Sequence, residues 1–434
     1  MTTPNGAIVF HATSGSDTQA SGLGPSTAVY GSGASTDGTA VVTGITTTGV
    51  SAGDLLWVQT ASGRQFSIIA SVDSSTQVTC DDTFALGASQ TWAIGGKRAT
   101  LDNSDSRLLF TADAKPGWTI ETETDQSLTS AIAWTADGDS TGCITLKGSD
   151  ATTLKKINQT ANANGITLTI ANYVAIKDLH IVRSSGSNGY TAIAARGIPM
   201  VFENVKIDNS GGNSWNHGIT RNGGNPVITM LRVVVTNCVL DGISDAGGGV
   251  GGVVSDSIFA NNGGDGVAAG IYALTLSRCL IYGNGAYGVV SSQYQINVSN
   301  CVIHGNTSDG INLSGVANSV VGCVLSGNGG YGINVDSSWA LGSVEDFNAF
   351  YNNTTGEVNN ITKGPSDVTL TADPFTDTAT DDYTINTTAG GGSTLRSTAI
   401  TLGSTETRPF RWLDAAAAGV AAVFSYMANF TRLG

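Results

Sequence analysis

A 22-residue step runs through the middle of this chain and limits its fold more than any other feature. Between Cys238 and Val335 five segments align on a glycine: Asp241-Gly242-Ile243, Asp265-Gly266-Val267, Tyr287-Gly288-Val289, Asp309-Gly310-Ile311 and Tyr331-Gly332-Ile333. The glycines stand 24, 22, 22 and 22 residues apart. Ser257, Cys279, Cys301 and Cys323 keep the same step, and so do Asn262, Asn284, Asn306 and Asn328. Three columns in one register indicate a solenoid, because a fixed period in the twenties is one supersecondary unit stacked on its neighbours.

Within each repeat the apolar residues alternate over very short runs, as in Cys301 and Ile303, then Ile311 and Leu313. That is the period of a strand, and Gly-Asn and Gly-Gly-Tyr-Gly punctuate the runs as turns require. Three short strands fit in 22 residues, which is one coil of a parallel β-helix. A leucine-rich repeat is the rival, since Cys301-x-Ile303-x-x-Asn306 mimics its core. The remainder of that repeat needs a helix or its own leucines, and Gly-Tyr-Gly-Ile-Asn-Val is too rich in glycine for helix. Coils then stack about 4.8 Å apart. Val267, Val289, Ile311 and Ile333 should form one interior ladder, and Phe259, Ile281, Ile303 and Leu325 another. The asparagine column should sit at a bend, with its amides bonded along the axis.

These columns resemble the right-handed parallel β-helix repeats of pectate-lyase-like proteins, whose coils carry N-x-x-I-x-x-N and G-I/V elements. Ala114-Lys-Pro-Gly117-Trp-Thr-Ile120 and Cys143-Ile-Thr-Leu-Lys-Gly148 are similar to the entry strands of such proteins. Asp373-Pro374-Phe375 with Asp381-Asp382-Tyr383-Thr-Ile385 is similar to the closing segment of many secreted or phage-borne β-helix proteins. The resemblance implies fold rather than activity, because this fold hosts lyases, hydrolases and viral spikes alike.

The expected fold is therefore all-β: a right-handed parallel β-helix solenoid, a small N-terminal antiparallel β-domain and a short C-terminal capping helix. Residues 1–40, rich in Gly, Ser and Thr, read as an extended arm. Residues 41–96 read as a small barrel or sandwich of short β-runs, separated by turns at 51–54, 62–64 and 73–75. This unit could be a carbohydrate module, an attachment domain or a cap over the apolar solenoid end. Residues 97–400 read as the β-helix. Residues 401–434 hold a predicted helix with Val420, Val423, Phe424 and Met427 at helical spacing, a cap or a docking segment.

Composition narrows the function classes. Charged residues are 12% of 434, about half the usual share, and the 57 glycines are about twice it. A net charge of −14 argues against nucleic acid or an anionic membrane as partner. No stretch approaches the 18 apolar residues of a membrane span. The N-terminus, Met-Thr-Thr-Pro-Asn-Gly-Ala, has neither a basic nor an apolar signal region. An extracellular type of fold without a signal fits a virion protein released by lysis, or a secreted or cell-surface chain whose export signal has been removed. Cys279, Cys301 and Cys323 in one interior column read as buried thiols, since stacked Cβ atoms near 4.8 Å lie beyond the usual disulfide range.

Chemistry concentrates in two places. The column before the glycines reads His217, Asp241, Asp265, Tyr287, Asp309 and Tyr331. Asp241 and Asp265, one coil apart, could split their pKa values and act as acid and base or nucleophile. Tyr287 and Tyr331, with Asp309, could bind sugar rings. Equally, Asp and Tyr before Gly are ordinary turn residues. The loop before this column carries Trp215 as a stacking ring and Arg221 with His217 as catalytic candidates. Lyase and polygalacturonase signatures are missing, and no metal or cofactor spacing is found. The favoured expectation is a non-enzymatic bacteriophage virion protein, tail spike, fibre or capsid decoration. It would be a homotrimer, in contact with other virion proteins and presenting its β-helix to host-surface glycans. The alternative is a polysaccharide lyase or glycoside hydrolase acting in the groove.

Overall fold

The computed structural model describes residues 6–12, 14–17, 19–102, 109–110, 114–140, 142–169, 172–186, 189–196, 199–221, 227–244, 251–270, 273–291, 295–314, 318–335 and 343–397. The chain is all-β among these residues, apart from a six-residue helix, Gly392–Ser397, and a 3-10 turn, Thr378–Thr380. It divides into two compact units, residues 1–206 with 210–213, and residues 207–209 with 214–434. The helix expected in 401–434 lies outside the described residues.

In the first unit six strands close into an antiparallel barrel: Val29–Thr36, Val41–Thr43, Leu55–Thr60, Gly63–Ser74, Gln77–Cys80 and Gly87–Ile94. Val42, Leu56, Val58, Ile69, Val78, Trp92 and Ile94 fill it. The stretch read as an arm departs from that expectation. Val29–Thr36 is a barrel strand paired with Gly87–Ile94. Ile8–Phe10 pairs in parallel with Thr119–Thr122, matching Ile8 to Ile120. The alternation in Val29–Thr36 is hidden because its buried side chains are small. Ala34 and Thr36 face inward, and Thr36 Oγ1 lies 3.0 Å from Gln90 Oε1. Arg98 bridges Phe10 in parallel, so the barrel is inserted between a first-coil strand and the rest of that coil. The entry segments pair as their resemblance implies, Ile120 beside Leu146 and Leu146 beside Ile176. Ile132, Ile166 and Ile193 stack as an interior ladder of this unit.

In the second unit the expected registers hold. Val267, Val289, Ile311 and Ile333 are successive partners, and so are Phe259, Ile281, Ile303 and Leu325, with Phe350 after them. All nine are fully buried. Each such side chain contributes about 2 kcal/mol of burial. Two left-handed columns bend the coil. One holds Arg232, Asp256, Arg278, Asn300 and Gly322, the other Asn237, Asn261, Gly283, Gly305 and Gly327. Asn, Asp and Gly adopt this conformation readily, so the chain can turn at both columns in coils of 22 or 24 residues.

The asparagine column is buried and bonded along the axis. The Nδ2 atoms of Asn262, Asn284, Asn306 and Asn328 donate to the Oδ1 of the next member at 3.0, 2.9, 3.0 and 2.8 Å, the last being Asn353. Each Oδ1 also accepts the backbone N–H of the asparagine before it, as Asn306 Oδ1 does from Asn284 at 3.1 Å. The second Nδ2 hydrogen reaches a strand carbonyl, for example Phe259 from Asn284 at 3.1 Å. The glycine column is steric in origin. A Cβ on Gly288 would stand 2.6 Å from the Gly310 carbonyl oxygen and 2.7 Å from Ile303 Cγ2. The cysteines are free, and Cys279 N–H donates to Cys301 Sγ at 3.3 Å. Burial pushes the thiols of Cys279 and Cys301 well up, so they stay protonated.

After the last rung the chain turns back over the solenoid's outer surface. Val368–Thr369 pairs with Ala349–Tyr351, and the hairpin Phe375–Asp377 with Asp382–Ile385 follows. Phe375, Tyr383, Ile385 and Leu395 pack on the outward rows Leu280, Val302, Val324 and Ala349, and on Tyr282. The Tyr383 ring lies 4.6 Å from Tyr282 and 5.4 Å from His304, so this strap reaches back across several rungs. Asn386 holds the strap together, donating to the carbonyls of Asp373 and Phe375 at 2.9 and 2.7 Å.

Two substitutions test the ladders. Asn306→Ala leaves the Asn284 amide groups without their acceptor in the interior and should cost about 3 kcal/mol. A thermal unfolding midpoint unchanged from wild type would contradict the ladder. Ile311→Asp buries an unpaired charge and should yield no folded protein by circular dichroism.

Candidate functional site

The column His217, Asp241, Asp265, Tyr287, Asp309, Tyr331 emerges as one line along the second unit. Each member directly precedes a glycine whose neighbours pair in parallel, Ile219 with Ile243, Ile243 with Val267, and onward. The carboxylates are tied to this line. Asp241 Oδ1 accepts the Asp265 N–H at 2.9 Å, Asp265 Oδ1 that of Tyr287 at 3.0 Å, and Asp309 Oδ1 that of Tyr331 at 2.7 Å. Each aspartate therefore caps the coil above it.

His217 starts the line. Its Nδ1 lies 3.3 Å from Asp241 Oδ2 and 3.4 Å from the Asp241 backbone nitrogen. A neutral ring can accept that N–H, whereas a protonated ring donates to the carboxylate. Burial pushes the Asp241 carboxyl up, but hydrogen bonds from His217, the Asp265 amide and Ser244 outweigh it, and the net shift is downward. Burial raises Asp265, the Tyr287 amide opposes this, and the Asp241 charge adds to it, so the net shift is upward. The two adjacent carboxyls are thus shifted in opposite directions.

Further along, the line becomes aromatic and amide-rich. Tyr287 and Tyr331 are half-buried. Asp309 is only 7% exposed, because Asn312 and Asn334 donate to its Oδ2 at 3.1 and 2.8 Å. Asn359 in turn donates to Asn334 Oδ1 at 3.0 Å. Val290, Asn312, Asn334 and Asn359 are register partners, so three asparagines stand in an outward row beside the tyrosines. This row went unread in the sequence, although Ile311-Asn-Leu and Ile333-Asn-Val repeat it at the common step.

The remaining candidates separate. Trp215 is 1% exposed, which corrects its reading as a stacking ring for sugars. Its side chain is interior packing, two residues before the outward His217. Arg221 ends the strand His217–Arg221, and its side chain lies outside the described residues. No group of three or more His, Cys, Asp or Glu able to hold a metal occurs among the described residues, and no helix among them is long and apolar enough to cross a membrane.

Residues 197–354 match the family model described as "Right handed beta helix region". That stretch of the solenoid is thus similar to right-handed β-helix repeats. Among solved structures the chain is similar to tailspike protein 2 from Escherichia coli O157:H7 bacteriophage CAB120, at 12% identity over 70% of this chain and 43% of that one, with a TM-score of 0.46. It is similar to pectate lyase Pel9A at 14% identity, covering 67% and 80% of the two chains, TM-score 0.41. It is also similar to an Azotobacter vinelandii mannuronan C-5 epimerase A-module, at 14% identity and 62% and 95% coverage, TM-score 0.34. These likenesses are of fold. No curated protein matches the sequence.

The split between the two carboxylates can be read directly by carbon NMR of labelled aspartates. Asp241 should titrate below the ordinary aspartate range and Asp265 above it. Asp241→Asn should bring the Asp265 pKa down, while burial keeps it above that of a free aspartate.

Proposed function

We propose that this chain is a non-enzymatic structural β-helix of a bacteriophage virion, a tail spike, fibre or capsid decoration that presents its Tyr287–Tyr331 face to host-surface glycans. The observation that carries the reading is the engagement of the outer carboxylates. Asp241, Asp265 and Asp309 each hold the backbone of the coil above, so the column is built as scaffold. Beside it, two half-exposed phenols and the Asn312, Asn334 and Asn359 amides offer stacking faces and hydrogen bonds, the two contacts a sugar ring needs. Low charge and abundant glycine suit such a particle-borne β-protein. A homotrimer seated at a symmetric site on the particle completes the reading, with other virion proteins as partners.

One observation favours a second reading, a polysaccharide lyase or glycoside hydrolase. Asp241 and Asp265 are neighbours with oppositely shifted carboxyls, the pattern of an acid paired with a base.

A panel of neutral and acidic glycans separates the two. The structural reading expects binding without depolymerisation, weakened about tenfold by Tyr287→Ala or Tyr331→Ala, the scale of one lost aromatic contact. Chain cleavage that disappears in Asp265→Ala or His217→Ala would overturn it in favour of the enzyme. Light scattering should give the mass of a trimer.

A further inference from the structure

The strap begins at a pair of carboxyl groups that share their hydrogen-bond donors. Glu345 lies in the outer strand Val344–Asp346, which pairs with Ser319–Val321 and is the last rung of its row. Asp367 lies in the next stretch of chain, just before the strand Val368–Thr369 from which the strap departs. The Gly364 N–H donates to Glu345 Oε2 at 2.8 Å and to Asp367 Oδ2 at 3.0 Å. Two carboxylate oxygens therefore crowd one hydrogen. Asn348 joins the same two groups from the other side, its Nδ2 donating to Glu345 Oε1 at 3.1 Å and its backbone N–H to Asp367 Oδ1 at 2.6 Å. Two carboxylates drawn to the same donors repel each other, which favours keeping a proton on one of them.

The charged neighbours in sequence are engaged elsewhere. Lys363 is paired with Glu357 and its Nζ reaches Thr369 Oγ1 at 2.6 Å. Asp346, on the same strand as Glu345, adds negative charge and is occupied by the amides of Ser366 and Phe347 at 2.8 and 2.9 Å.

We propose that Glu345 and Asp367 form a proton-sharing latch that fastens residues 363–369, and through them the closing strap, to the last coil. Loss of that proton loosens the strap while the coils beneath remain folded. Geometry and titration agree on the direction. Burial, then the hydrogen bond and charge of Asp367, raise Glu345 from an ordinary 4.5 to about 8. A group whose pKa is raised by folding stabilises fully below its free value and progressively less as pH rises to the folded value. The latch is thus complete below about pH 4.5 and is lost across the interval up to about 8. His304, covered by Phe375 and Tyr383, acts with the opposite sign. Burial lowers its pKa, so acid rather than alkali would disturb its contacts.

Deuterium exchange of the full chain, read by mass spectrometry and corrected for the intrinsic effect of pH, tests the latch. Peptides covering 368–385 are compared with the coil peptides around 296–313 from pH 5 to 9. Protection of the strap should fall by up to about tenfold per pH unit, the limit for release of one proton, and level off above about pH 8. The coils should show no such slope. Glu345→Gln, which keeps a donor toward Asp367 at every pH, should abolish the slope, and Asp367→Asn, which leaves Glu345 buried, should shorten the pH interval over which it runs. A wild-type strap whose protection is flat in pH, or a Glu345→Gln strap that loosens like wild type, overturns the proposal. If neither variant folds, the wild-type slope decides alone, because His304 would give one of the reverse sign.

Discussion

The structure depends on the axial spacing of parallel strands. Coils stacked about 4.8 Å apart place identical side chains at that distance, and only some side chains tolerate it. Asparagine does so best at the buried bend. Its amide donates to the next amide and to a strand carbonyl, while its oxygen accepts both a neighbouring amide and a backbone N–H. Every hydrogen-bonding group at a corner that excludes water is then satisfied within the ladder. Aspartate solves the same problem at the outer edge, where each carboxylate accepts the N–H of the coil above. Glycine solves it where the backbone of one coil approaches the next too closely for a Cβ.

A solenoid solved by stacking has two weaknesses, its ends and its outward apolar rows. Segments outside the regular coils pack against the solenoid in each unit. The strand Ile8–Phe10 and the Arg98 bridge make the barrel an insertion within the first coil, held by side chains such as Trp57, whose Nε1 donates to Ala20 at 2.9 Å. In the second unit the strap buries outward residues that no coil could cover, including Leu280, Val302 and Tyr282. Its aromatic contacts are edge-to-face with His304, a mode of packing that needs definite geometry. Closure is thus specified by a few side chains, whereas the coils are specified by repetition.

That contrast explains what was legible. The interior ladders and the asparagine bend follow from column spacing, because every residue in a column faces the same environment, whereas the entry strands were legible through their resemblance to those of other β-helices. Residues outside the repeat carry no such redundancy. Trp215 reads as an outward ring because it sits in a polar loop beside His217, yet its burial is decided by packing that appears only in three dimensions. Val29–Thr36 reads as coil because a barrel strand with small inward residues lacks an apolar alternation. The Glu345–Asp367 pair is invisible for a different reason. The two residues stand 22 apart but occupy different positions in their coils, so no column reports their contact.

The outer column shows how far a scaffold constrains its own surface chemistry. Asp241 and Asp265 have shifted carboxyls, the usual mark of a reactive site. Here the shifts arise from ladder bonds and partial burial, the same interactions that position the coils. A carboxylate whose Oδ1 holds the next coil can offer only its second oxygen, and in Asp241 that oxygen faces His217. Asp265 and the phenols beyond it keep more freedom. The column thus passes from the His217–Asp241 contact to half-buried tyrosines with a row of asparagines beside them.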